Sequence, residues 1–128
     1  MSQFYFLTLD RVLKIHDQSL KEHGGSGGIR SQASLEAAVI QPQLIHHYER
    51  GDYFNVAGAY AYHLAEAQAF VDGNKRTAIA SAFFFLQVNG IETTQIDSMQ
   101  FHGPMIEMAA GKMDRKGLAD LMRRLLGP

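Results

Sequence analysis

The sequence predicts an all-α fold, a compact helical bundle around one central helix. Three observations carry this. Apolar residues recur at the three- and four-residue spacing of a helix through most of the chain, and a capping residue stands before each such segment, with glycine or proline close behind most of them. The period-two alternation of a half-buried strand is nearly absent.

Taken in order, Thr8 caps a helix from about Leu9 to His23. Val12, Ile15 and Ser19 lie on one stripe, and Leu13, His16 and Leu20 lie beside it. Gly24 and Gly25 end it, and Gly24–Gly28 reads as a flexible connector. Ser31 or Ser34 opens a short helix through Ala37, Ala38 and Val39 that Pro42 ends. Leu44–Phe54, with Tyr48, Tyr53 and Phe54 around Gly51-Asp52, reads as a loop or a short extended flap. Asn55 caps the next helix, whose inward stripe is Val56, Ala59, Tyr60, His63, Leu64 and Ala67. A helix from Lys75 to about Val88 is apolar almost all round and is closed by Asn89-Gly90, so it is expected at the centre. Ile91–Ile96 is the remaining short candidate strand. Asp97 or Ser98 starts a helix, kinked or restarted at Pro104, that reaches Ala110. Asp114 opens the last one, with Leu118, Leu121, Met122 and Leu125 inward and Arg123 and Arg124 near its negative end.

At 128 residues, positions 1–128 read as a single domain. A formal charge of −1 argues against a broad basic footprint for DNA or for an anionic membrane, so a large partner is expected to be a protein. The absence of cysteine excludes disulfides and thiol catalysis and suits a reducing cytoplasm. The start of the chain lacks the features of a signal peptide, and its most apolar run, Thr77–Leu86, is too short to span a bilayer. A soluble, cytoplasmic protein is the expectation.

The chemistry concentrates where the central helix begins, at Phe70-Val71-Asp72-Gly73-Asn74-Lys75-Arg76-Thr77. The first N–H groups of a helix lack internal partners and carry the positive end of the dipole, so they attract anions. Gly73 lets backbone approach a ligand, and Lys75 and Arg76 add two cations. Asp72 would repel a bare phosphate, but it fits one bridged by a divalent cation. The segment therefore reads either as a magnesium–polyphosphate site or as a helix start capped by Asp72 and Asn74 with its two cations in solvent.

The run Phe70–Ala78 resembles the Fic signature, His-x-Phe-x-Asp/Glu-Gly-Asn-Gly/Lys-Arg. Lysine after the asparagine, then Thr-Ala and Ile79 in place of a second arginine, is similar to the Doc (death-on-curing) subgroup. The likeness extends to Ile15-His16, the glycine-rich turn, the Leu35–Pro42 helix and Phe83–Gly90. It implies the Fic fold and a nucleotide-dependent transferase acting on a protein hydroxyl. Most Fic proteins transfer the nucleotidyl group, whereas the Doc branch resembles a kinase directed at translation elongation factor Tu. By this resemblance Asp72 would hold Mg2+. Gly73, Asn74, Lys75, Arg76 and Thr77, with the helix amides, would hold the phosphates of ATP, and His46–Phe54 would correspond to a target-docking flap. The chain has no match to the family's inhibitory Ser/Thr-x-x-x-Glu-Gly/Asn helix, so inhibition by a separate small antitoxin is implied. The Met99–Met113 region, with Met105 and Met108, is weighed as its groove and reads better as core.

One position departs from the signature. Gln68 stands where the family has its histidine. A carboxamide orients a hydroxyl but takes no proton near neutral pH, and loss of a general base costs about 10² to 10⁴ in rate. One base change interconverts the two codons, so Gln68 reads either as the chain's own residue or as a disarming substitution. His63 lies five residues earlier, about 140° round and ~7.5 Å along a helix, and reads as a core or capping residue. His46, His47 and His102 have no position assigned by the sequence. The leading expectation is a Doc-like toxin of a toxin–antitoxin pair, impaired by Gln68. Its rivals are a silent nucleotide-binding or regulatory module, a protein nucleotidyltransferase and a helical interaction protein with a vestigial site.

Overall fold

The Thr8 hydroxyl accepts from the Arg11 N–H and starts the first helix, α1 (Leu9–His23), in a computed structural model that describes residues 4–127. Val12, His16 and Ser19 are its buried residues. Gly24, at φ 81°, ends it by returning its N–H to the Leu20 carbonyl.

Ser31 caps α2 (Gln32–Glu49), which does not stop at Pro42 as the sequence suggested. Interior proline costs about 3 kcal/mol. Continuation of one apolar stripe offsets it: Leu35, Ala38, Val39 and Pro42 are buried, and one further turn brings His46 against Phe4, with ring centroids 3.9 Å apart. The expected loop or extended flap at Leu44–Phe54 is therefore mostly helix. Its remainder is a tight turn in which Arg50 adopts the left-handed conformation (φ 53°).

The Asp52 carboxylate, rather than Asn55, caps α3 (Tyr53–Ala67), and Asn55 completes a reciprocal capping box. Burial pushes the Asp52 carboxyl up, but hydrogen bonds from Arg123 and from the Asn55 N–H outweigh it and hold it below the usual range. Arg123 on the last helix, α6 (Arg115–Leu126), meets Asp52 at 2.8 Å, and Arg115 meets Glu49 at 2.7 Å, so the α2–α3 turn is clamped to that helix. Arg123 thus anchors a turn as well as lying near a helix end.

The centre is shared between α3 and α4 (Asn74–Val88). α3 packs against α2, α4, α5 (His102–Ala109) and α6, and α4 packs against α1, α3 and α5. α3 can serve so many neighbours because Ala57, Gly58, Ala59 and Ala61 are small and buried, letting backbones approach closely. A Cβ built on Gly58 would lie 2.6 Å from the Arg115 carbonyl oxygen.

Beyond α4, Ile91–Ile96 forms no strand, and no strand occurs among the described residues. The Glu92 carboxylate accepts from the N–H groups of Thr93 and Thr94, which occupies the backbone that a partner strand would need. Asp97 caps a 3-10 turn, Ser98–Phe101, that runs directly into α5 (His102–Ala109), so the restart falls at His102 rather than Pro104. Met105 and Met108 are buried core, as read from the sequence. Asp114 caps α6 (Arg115–Leu126). Leu126 turns inward with Leu118, Ala119 and Met122, while Leu125 is exposed and Leu121 half-buried. No described helix is long and apolar enough to cross a membrane.

Candidate functional site

Every helix described except α4 and α5 begins with a side chain closing its first amides, and α5 continues straight from a 3-10 turn. α4 begins at Gly73 with no side-chain cap. The two residues that might have capped it are engaged elsewhere. Asn74 folds back on Phe70, its Oδ1 accepting from the Phe70 N–H (3.0 Å) and its Nδ2 donating to the Phe70 carbonyl (2.9 Å). Asp72 turns to the glycine-rich loop, where its Oδ2 accepts from the Ser26 N–H at 2.9 Å. The reading in which these two simply cap the helix is thereby excluded. The positive end of a central helix is left open, as an anion site requires.

The loop is held from three sides. His16 on α1 is 6% exposed and lies flat on Phe70, with ring centroids 3.7 Å apart and planes at 8°. Its Nε2 is 2.8 Å from the Asp72 carbonyl, which can only accept, so that nitrogen carries the proton. The glycine-rich connector is more than a plain loop. Val71 N–H donates to the Gly28 carbonyl, and the Ala69 carbonyl accepts from the N–H groups of Arg30 and Ser31. Buried Ala69 and Phe70 anchor the base. Gly73 has φ 80°, and a Cβ there would meet nothing closer than 3.7 Å, so backbone conformation rather than space demands glycine.

Around this loop lies a cavity of about 390 Å³. The end of α3 contributes Ala65, Glu66 and Gln68, the loop and α4 contribute Val71 to Arg76, and α5 contributes His102, Met108 and Ala109. The volume falls within the range of small-molecule pockets. Gln68, Asp72, Gly73, Asn74, Lys75 and Arg76 are thus brought together as the sequence suggested. Gln68 takes the left-handed conformation (φ 45°), which costs an L residue about 1–2 kcal/mol. Asn74 joins the site as a brace whose carboxamide is used up on Phe70.

Thr77 does not join them. It is 1% exposed, absent from the cavity wall, and its N–H is spent on the Gly73 carbonyl. One helical turn beyond Gly73 lies on the core side of α4, which takes Thr77 inside. His46–Phe54 also lies off the cavity wall, because the ion pairs to α6 hold it elsewhere. His63 is half-buried on α3 with its ring edge-on to Tyr62, and burial and then Arg115 depress its pKa.

Sequence reasoning missed the bracing role of His16, the Ser26 amide and the α5 wall. The first had a signal, a histidine beside the apolar stripe of α1, but its partner lies 56 residues away. Among the described residues no three His, Cys, Asp or Glu side chains cluster to hold a metal. Asp72 offers one carboxylate, with one oxygen already accepting from Ser26. That is too little for a metal caged by protein alone, and it suits a cation whose other ligands are phosphate oxygens and water.

Comparison with known proteins agrees with this geometry. The profile of the Fic/DOC family matches residues 6–86. Protein kinase doc of Escherichia phage P1 is 32% identical over 119 residues, spanning 92% of this chain and 93% of that protein. Toxin Doc of Mycolicibacterium smegmatis (strain ATCC 700084 / mc(2)155) is 36% identical over 101 residues, spanning 75% of this chain and 76% of the relative. With its uncapped central helix, its signature loop and homologues among the Doc toxins, the chain belongs to the Fic/DOC family.

Proposed function

We propose that the chain is a Doc-type toxin that binds a magnesium nucleotide at the start of α4 and passes a phosphoryl group to a protein hydroxyl, slowly because of Gln68. The observation that carries this reading is the open N-terminus of α4, with Lys75, Arg76 and Asp72 on one cavity wall. The phage P1 relative is itself named a protein kinase, which favours phosphate over nucleotide transfer.

The free amides at the start of α4, with Lys75 and Arg76, bind and orient the phosphates. Asp72 would hold Mg2+, which supplies charge neutralisation between the phosphates. Its carboxylate is aimed by Ser26, and its backbone is fixed by His16. Gln68 orients the attacking hydroxyl through its carboxamide and leaves the proton on it. Elongation factor Tu is the proposed target, and a small antitoxin that folds on binding is the proposed inhibitor. Gln68 also favours a second reading, a catalytically silent module that binds nucleotide to regulate a partner.

The test uses the chain, a Gln68→His variant and an Arg76→Ala variant. ATP is labelled separately at the α and γ positions, and elongation factor Tu and cell extract serve as targets. Label from γ alone, raised about 10² to 10⁴-fold by Gln68→His, is the expected outcome. Label from α identifies a nucleotidyltransferase. Nucleotide binding with no transfer by any variant identifies the silent module. Binding unaffected by Arg76→Ala removes the site itself.

A further inference from the structure

Position 68 lacks a proton acceptor, but the cavity does not. We propose that His102 accepts the proton of the target hydroxyl, so that the turnover left by Gln68 runs through α5. This deepens the phosphotransfer reading and rests on it.

The placement of the six histidines selects this one. His16 is buried with Nε2 committed to the Asp72 carbonyl. His46 is stacked on Phe4, His47 stands edge-on to Tyr48, and His63 packs on α3 against Tyr62. His23 ends α1, 3.8 Å from Glu22, and borders the groove between α1 and α4. His102 alone among the described histidines lines the cavity that holds Gln68, Asp72, Lys75 and Arg76. It also lines the narrow crevice beside Lys75 and Arg76.

Its backbone is fixed while its ring is accessible. Phe101 and Met105, on either side of it, are each 1% exposed, and His102 itself is exposed. The wall presents it with Lys75 and Arg76 from α4, Asp72 from the loop and Glu66 from the end of α3. The cations bind phosphate, and Asp72 is engaged with Ser26 and suited to the metal. A carboxylate is by nature a weaker base than an imidazole, and the negative charge of Glu66 opposes the triphosphate. Imidazole changes charge within the physiological pH range, which is where a general base works best.

The step balances without another reagent. The hydroxyl oxygen forms a bond to the γ-phosphorus, the bond from that phosphorus to the β–γ bridging oxygen breaks, and ADP leaves with that electron pair. The hydroxyl proton passes to an imidazole nitrogen of His102 and then to water.

Two measurements test the proposal. In the first, γ-phosphate transfer to elongation factor Tu and to cell extract is followed from about pH 5 to 8. The chain, its His102→Gln, Glu66→Gln and Gln68→His variants are compared. Expected is a slow rate that climbs with pH, falls about 10² to 10⁴-fold in His102→Gln, and keeps its pH dependence in Glu66→Gln. An unchanged rate in His102→Gln, or loss in Glu66→Gln instead, overturns the proposal. Transfer by Gln68→His alone overturns it too and leaves the phosphotransfer reading standing. Silence of all four overturns both. The second measurement is independent of turnover. The imidazole proton resonance of His102, assigned by its absence in His102→Gln, is expected to move when magnesium and a non-hydrolysable ATP analogue are added. A resonance that ignores a nucleotide which demonstrably binds removes His102 from the site.

Discussion

Asn74 is the residue whose removal best separates a braced loop from a merely well-placed one. Asn74→Ala deletes two hydrogen bonds, from the Phe70 N–H and to the Phe70 carbonyl, and leaves both backbone groups without their partner. Each such bond contributes about 1 kcal/mol net, and these groups are only partly buried, so water recovers some of the loss; about 2 kcal/mol is expected. With an unfolding entropy of about 2.1 cal/mol/K per residue, that lowers Tm by about 7 °C for a chain of this length. Nucleotide affinity is expected to fall as well, because the first amides of α4 are aimed by the same clamp. Thermal unfolding by circular dichroism and calorimetric titration with magnesium and an ATP analogue read the two effects. A variant that melts within a degree of the parent and binds as tightly refutes the claim that Asn74 braces the loop.

Three further outcomes follow from other contacts. Gly73→Ala introduces no clash but forces alanine to φ 80°, so a loss of about 1–2 kcal/mol with weakened nucleotide binding is expected, and a full-strength variant argues against that backbone geometry. Gly58→Ala places a methyl 2.6 Å from the Arg115 carbonyl oxygen. α6 must shift, and about 1–3 kcal/mol should be lost in urea unfolding; a gain in stability, as helix propensity alone predicts, contradicts the close approach of α3 and α6. Asp52→Ala removes a helix cap and the Arg123 pair, for about 1–2 kcal/mol near neutral pH. The folded-state pKa of Asp52 lies below its unfolded value, so its contribution is full above that unfolded value, about 3.9, and is lost as pH falls through the folded one. The difference between Asp52→Ala and the parent should therefore shrink on acidification below about pH 4, and a difference that grows there contradicts the assignment.

Where a signal is local, the sequence carried it. Thr8 and Gly24 bound α1 as expected, Asp114 caps α6, and the near-continuous apolar surface of α4 marked a buried helix. The loop residues that share the cavity were legible for the same reason, because Gly73, Asn74, Lys75 and Arg76 are consecutive and chain geometry keeps them together. Two of the misread segments, the end of α2 and Leu44–Phe54, depend on partners far along the chain. α2 runs through Pro42 because its stripe is covered by other elements, and Leu44–Phe54 is ordered by α6. Thr77 belongs to the core because α4 has an inward side, which no motif specifies.

By itself, then, the sequence determined an all-α chain with a Fic-type signature lacking its histidine, since caps, periodicity and motif are properties of neighbours within a few residues. Only the tertiary structure decided that Asp72 turns to Ser26 instead of capping α4, that His16 holds the loop, and that His102 faces the same cavity as Gln68. Those facts join α1, the glycine-rich connector, α4 and α5, and contacts between segments 34 to 56 residues apart leave no periodic trace in the chain.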